Sequence, residues 1–126
     1  MIHFFEKGTG QPLVLLHGFC ESGNMWNYFA EGLSAHFRVI CPDLPGFGDS
    51  PISGNQITLE EVAVQLEEWM EENQIHEPII IGHSLGGLLL RSALAALPAG
   101  TRAPTRVFLL GSPTQPARLA KMLSRN

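Results

Sequence analysis

Apolar and polar positions switch between two periods along the chain. Ile2 to Glu6 reads as a short strand, and Gly8-Thr9-Gly10 as the turn after it. Leu13-Val14-Leu15-Leu16 is an unbroken apolar run, the pattern of a strand buried on both faces. Met25, Trp26, Phe29 and Leu33 follow at helical spacing, the first three a stripe that reads as core rather than a cofactor site, and Phe37 to Cys41 is the next strand, stopped by Pro42. A loop rich in Gly, Pro, Asp and Ser then runs to about Gln56. Thr58 and Glu61 make a capping box, behind which Leu59, Val62, Ala63, Leu66 and Trp69 trace one helical face. Ile79-Ile80-Ile81 is a further apolar strand, Leu85 to Leu97 an apolar helix, and Arg106 to Leu110 another strand. Pro116 to Ser124 reads as a last helix with Pro116 in its first turn.

Strands alternating with helices imply an α/β domain: a three-layer sandwich around a mostly parallel sheet. The strand over 106–110 is expected at one edge, in an order like that of a small flavodoxin-like core. Open sheets of this kind carry function at the carboxyl ends of their strands. That rule points to His17-Gly18-Phe19, to Asp43 onward, to Ser84 and to Gly111-Ser112.

Composition narrows the class. The chain has 126 residues, 44% of them hydrophobic and 16% charged, which fits one folded domain and excludes a disordered chain. A net charge of −4 gives no reason to expect nucleic-acid or anionic-membrane binding. No apolar run approaches the ~20 residues of a membrane span, and Met1 to Lys7 lacks the apolar stretch of a signal peptide. Cys20 and Cys41 are too few for a disulfide scaffold. They lie after neighbouring strands and are expected as unpaired, partly buried thiols in a cytoplasmic protein.

The charge is divided along the chain. All twelve acids lie in residues 1–77 with only Lys7 and Arg38 against them, a balance of −10. Residues 78–126 hold no acid and six bases, a balance of +6. All eight isoleucines also precede residue 82. The change in usage follows Ser84 closely, as would happen if two segments met near residues 88–92 within one domain over 1–126.

Chemistry concentrates in Gly82-His83-Ser84-Leu85-Gly86-Gly87, between an apolar strand and an apolar helix. That context is the mark of a nucleophile elbow. The turn is so tight that the nucleophile takes a strained backbone conformation, and a Cβ two residues to either side would strike neighbouring backbone. Ser84 would stand at a helix N-terminus, where negative charge is favoured, with the Leu85 N–H placed as an oxyanion donor. The bland reading, a glycine-rich helix start with an incidental serine, fits the strand-turn-helix context less well.

Here the sequence resembles the α/β-hydrolase superfamily. Three motifs carry the resemblance, in the family's order: His17-Gly18-Phe19, Asp43-Leu44-Pro45-Gly46-Phe47-Gly48-Asp49-Ser50, and Gly82 to Gly86. The resemblance implies an oxyanion donor at the Phe19 N–H and a loop-shaping role for His17, with Gly18, Gly82, His83 and Gly86 supporting the site. Ser84 at the nucleophile position argues against the haloalkane dehalogenases, which carry aspartate there. Arg106 to Pro113 looks like the family's sixth strand and its loop, in a form closer to lipases. The relatives that the resemblance implies are small esterases, lipases and carbon–carbon bond hydrolases, with a small ester as substrate if the chain is active, and no cofactor or metal is expected.

The family places its acid and histidine after the nucleophile. This chain has histidines at 3, 17, 36, 76 and 83, none after Ser84, and no Asp or Glu after it either. Among them His83 is expected to point away from the pocket, and His3, His36 and His76 to be surface residues. Asp43 is expected to hold its loop by hydrogen bonds, and Asp49 to be solvated. No cluster shows metal-ligand spacing in sequence. Gly46 and Gly48 precede no Lys-Ser/Thr step and open no helix, which argues against a phosphate loop.

Two readings stay open. One is a partial, truncated or chimeric serine hydrolase scaffold with little or no activity. The other is an active esterase whose base comes in trans from a partner chain or from a non-standard residue. A bare edge on the strand 106–110 would expose unpaired N–H and C=O groups, so a homodimer through that edge or the adjacent face is expected.

Overall fold

The computed structural model describes residues 1–52, 58–95 and 106–110. Its elements are β1 (Phe4–Lys7), β2 (Gln11–Leu16), a 3-10 turn (Gly23–Trp26) running into α1 (Asn27–Leu33), and β3 (Phe37–Pro42). Then come α2 (Leu59–Glu72), β4 (Ile79–His83), α3 (Leu85–Ala95) and β5 (Arg106–Leu110). The helix expected over 116–124 and the Gly111-Ser112 loop lie outside the described residues.

The strands form one sheet in the order β1-β3-β2-β4-β5. β1 runs antiparallel to β3, and every other pairing is parallel. The α/β class, the mostly parallel sheet and the edge position of β5 are therefore as the sequence implied. Register aligns the two central strands at their carboxyl ends. Leu13 lies opposite Ile79 and Leu16 opposite Gly82, so β2 and β4 end side by side.

Alternate side chains of each strand feed opposite faces. Val14, Leu16, Ile40 and Ile80 pack against Val62, Leu66 and Trp69 of α2 and against Leu89 and Leu90 of α3. Leu13, Leu15, Val39 and Cys41 pack the other way, against Trp26 and Ala30. The apolar face read along 59–69 is the buried face of α2, with Leu59 and Ala63 at its margin. Each such aliphatic side chain contributes about 1.5–3 kcal/mol through burial. The result is three layers, α1 on one side and α2 with α3 on the other.

Polar contacts fix the ends. The Thr58 hydroxyl accepts from Glu61 N–H, and the Glu61 carboxylate accepts from Thr58 N–H, which completes the capping box. At the other end of α2, the Arg38 guanidinium donates to the carbonyls of Asn73 and Gln74, at 3.1 and 3.3 Å. Its Nε donates to Glu6 at 2.8 Å, so one side chain on β3 joins β1 to the carbonyl end of α2.

Two expectations change. β1 begins at Phe4 rather than Ile2, because the N–H of His3 leaves the ladder while only its carbonyl still meets the end of β3. That N–H donates to the Ser50 hydroxyl at 2.9 Å, and the carbonyl accepts from Asp43 N–H at 2.8 Å. Phe29, read as part of a core stripe, is 56% exposed. Buried Trp26 fills the space beneath α1, leaving Phe29 against its edge with ring centroids 6.1 Å apart. No helix of the described residues is long and apolar enough to cross a membrane.

The packing implies a ranking within α2. Leu66→Ala should cost about 3 kcal/mol, and Thr58→Ala about 1 kcal/mol, both read from urea unfolding. A smaller loss for Leu66→Ala than for Thr58→Ala would contradict the assignment of the buried face.

Candidate active site

β4 delivers the chain into a turn so sharp that Ser84 takes φ +54°, a left-handed conformation costly for any residue with a side chain. The glycines explain how the turn fits. A Cβ on Gly82 would lie 2.6 Å from Gly87 N and 2.7 Å from the Gly86 carbonyl carbon. A Cβ on Gly86 would lie 2.8 Å from the carbonyl oxygens of both Leu16 and His17. Leu85 opens α3, so its backbone N–H belongs to the free first turn of that helix.

Facing this elbow is the segment after β2. A Cβ on Gly18 would sit 3.1 Å from the Ser84 Cβ, so the two loops come into close contact here. Phe19 follows, 49% exposed, with its ring edge-on to Phe47 at 5.8 Å. His17 is fully buried. Its Nε2 lies 2.8 Å from Leu44 N, and its Nδ1 lies 2.7 Å from Gly18 O. Because an amide N–H can only donate, Nε2 accepts, which places the ring proton on Nδ1 to donate to the carbonyl. Desolvation outweighs the Gly18 carbonyl and the nearby Asp43 and Glu21 charges, lowering the His17 pKa. With both nitrogens occupied, the imidazole holds the loop and has no lone pair to lend a nucleophile.

Asp43, at the end of β3, binds the surrounding loops. Its Oδ1 accepts from Gly23 N–H at 2.7 Å, and its Oδ2 accepts from Asp49 N–H at 2.9 Å and faces the His3 ring at 3.1 Å. Burial works to raise this carboxyl, but the hydrogen bonds from Asp49, Gly23 and His3, with the charge of His3, hold it below its ordinary value. A Cβ on Gly48 (φ +53°) would strike the same carboxylate. Ser50 Oγ donates to Asp43 O at 2.6 Å and closes the loop.

Several residues sit where sequence placed them, and some do not. Asp43 holds its loop, while Asp49 is 80% exposed on its side chain. His36 and His76 are exposed. His3 is exposed too, yet it anchors to Asp43 and Ser50 through its ring and its backbone. His3 Nδ1 and one oxygen each of Asp43 and Asp49 gather within 4.8 Å, a group that spacing along the chain did not reveal. Both oxygens of Asp43 already accept N–H donors there. Cys41 is buried, and desolvation pushes its thiol up to about 12, while Cys20 is exposed and both are free. Cys20 thus departs from the partly buried state expected, because the backbone turns at φ +60° there and carries it outward.

His83 turns toward Glu21 and Trp26. Its Nδ1 is 3.4 Å from Glu21 Oε1, and its ring stands edge-on to Trp26 at 6.5 Å. Glu21 is the site residue that sequence reasoning passed over. The signal available was its place three residues past Gly18, where its N–H closes a turn onto Gly18 O at 3.2 Å.

The alpha/beta hydrolase fold family matches residues 11–119, on both sides of the elbow. This chain belongs to that family. It is 45% identical over 88 residues to the pimeloyl-(acyl-carrier protein) methyl ester esterase of Vibrio cholerae serotype O1, covering 70% of this chain and 32% of that protein. It is 32% identical over 119 residues to bifunctional epoxide hydrolase 2 of Sus scrofa, covering 92% of this chain and 21% of that one. Among solved structures it resembles a thermophilic esterase from Thermogutta terrifontis, with TM-score 0.80, 28% identity, and coverage of 99% of this chain and 48% of that one. The chain therefore spans less than half the length of each of these proteins.

Two measurements probe the frame of this alpha/beta hydrolase site. Asp43→Ala strands the Gly23 and Asp49 N–H groups and should cost about 3 kcal/mol in urea unfolding. A loss under about 1 kcal/mol would remove Asp43 from this role. The second is a pH dependence. Folded His17 resists a proton that the unfolded chain accepts near its ordinary 6.5, so its stabilisation is full above that value and falls below it. The urea midpoint should drop between about pH 7.5 and about pH 5, and less steeply in His17→Gln. Equal slopes in the two proteins would contradict the buried neutral imidazole.

Proposed function

We propose that this chain carries the nucleophile and oxyanion half of a serine esterase acting on small carboxylic esters. The observation that carries the reading is the left-handed turn at Ser84, held by glycines that admit no Cβ, at the meeting of β2, β4 and α3. Ser84 Oγ attacks the ester carbonyl carbon, and the charge that develops on the carbonyl oxygen is met by the N–H groups of Phe19 and Leu85. The alcohol leaves, and water then hydrolyses the acyl-serine. His17, Gly18, Gly82, His83 and Gly86 shape the site. Two of the three proteins compared with this chain are named as esterases, which supports the substrate class.

Attack requires a base for the hydroxyl proton. No histidine or acid follows Ser84 in these 126 residues, and both nitrogens of His17 are engaged. Without that base Ser84 is a weak nucleophile, so these residues alone make a slow catalyst that depends on an ester with a good leaving group. A base delivered in trans by a partner chain would raise that rate. With p-nitrophenyl acetate, the chain should turn over about tenfold or more faster than Ser84→Ala. Equal rates for the two proteins would end the reading.

The proposal extends to assembly. Among the described strands, β5 closes one end of the sheet, and Phe108 on it is 47% exposed. A second copy pairing along that strand or packing on the adjacent face would cover it. Sedimentation at tens of micromolar should show a dimer; a lone monomer would remove this part.

A further inference from the structure

The loop that carries the proposed oxyanion donor has an anchor of which the esterase reading uses only one half, His83, and leaves Glu21 without a role. We infer that Glu21 and His83 form a positioning pair that sets residues 17–22, and with them the Phe19 N–H, against Ser84. The inference rests on that reading for its catalytic meaning, though the pairing itself does not.

Three groups converge on the space above Gly18. A Cβ built there would lie 2.5 Å from Glu21 Oε1, 3.1 Å from the Ser84 Cβ and 3.3 Å from His83 Nδ1. The carboxylate thus lies between the loop it belongs to and the strand end that precedes the nucleophile. His83 Nδ1 is shielded from solvent and has no hydrogen-bond partner among the described residues, with Glu21 Oε1 3.4 Å away as the anion facing it. Buried Trp26 closes one side of the imidazole, edge to face at 87°, and its own Nε1 also has no partner among the described residues. The ring is half-buried, and the Glu21 carboxylate is the charged group that faces its shielded nitrogen.

The peptide geometry says what this anchoring does. The carbonyl of Gly18 and the N–H of Phe19 belong to one planar trans peptide and point in opposite directions. Gly18 O is fixed by two donors, Glu21 N–H at 3.2 Å and the His17 ring at 2.7 Å. Pinning that oxygen aims the Phe19 N–H the other way. The turn between contains Cys20 at φ +60°, a conformation that a non-glycine residue holds only when its surroundings impose it. Glu21 therefore acts twice, its backbone closing the turn and its carboxylate tying the turn to β4. Both residues are positioning residues, since neither is placed on the reacting atoms.

The test compares the full chain with Glu21→Gln, His83→Asn and the double variant. Backbone order parameters at residues 18–21 should fall from about 0.85 toward about 0.6 in each single variant, while those of β2 stay unchanged. Values equal to the parent's would overturn the pair. In p-nitrophenyl acetate hydrolysis, kcat should fall about tenfold with KM within about twofold, and the double variant should lose no more than either single one. Losses that multiply would show two independent effects and overturn the coupling. Should either variant melt far below the parent, Glu21→Asp takes its place, with order parameters and kcat expected below the parent's; values equal to the parent's count against the pair. Ser84→Ala is measured alongside. If the parent is no faster than Ser84→Ala, the esterase reading fails, and the order parameters still decide the pairing.

Discussion

The close approach of α3 to the end of β2 governs everything around the elbow. Gly86 meets the carbonyls of Leu16 and His17 at a distance that admits no side chain, and Gly82 does the same toward Gly86 and Gly87. Because β2 and β4 end in register, that one approach fixes where Ser84 emerges and where the Gly18 loop must pass. The positive φ of Ser84 costs energy of order 1–3 kcal/mol, and the apolar packing of α3 on β4 and α2 offsets it. Loosening the glycine contact would shift the nucleophile, the loop opposite it and the helix start together.

A second constraint comes from polar groups taken out of water. Asp43 and His17 are both buried, and each is satisfied mostly by backbone groups of loops and of the start of the 3-10 turn. Burial of a polar group is tolerated only when its partners are in place. These two side chains therefore do for the loops what ladder hydrogen bonds do for the strands. They also keep the charge balance local. One anion is held ionised by donors, and one imidazole is held neutral by desolvation.

Much of this was legible in the chain itself. The elbow could be read because tight turns demand glycine at fixed offsets, and Gly82 and Gly86 have no other reason to flank a serine between strand and helix. The strands over 37–41 and 106–110 and the face of α2 followed from period alone. What escaped reading was contact between residues remote in sequence. His3 looked like a plain surface residue because nothing near it in sequence reveals that Asp43 and Ser50 wait forty and more positions away. Glu21 looked like loop polarity, since its meaning depends on the strand end that carries His83. Phe29 kept helical spacing with Trp26, but α1 is only seven residues long, and one large ring suffices to fill the space beneath it.

The two cores on opposite faces of the sheet each contain one tryptophan. Trp26 belongs to the α1 layer and Trp69 to the α2–α3 layer. They also differ in their neighbours, the His83 imidazole and the Phe29 ring beside Trp26 and the ring of Phe4 beside Trp69. The chain has no other tryptophan. Its intrinsic fluorescence is thus a sum of two signals, one from each side of the sheet, and the Trp26 signal originates beside the elbow. Replacing either indole by phenylalanine would leave a chain whose emission follows the loosening of one layer alone.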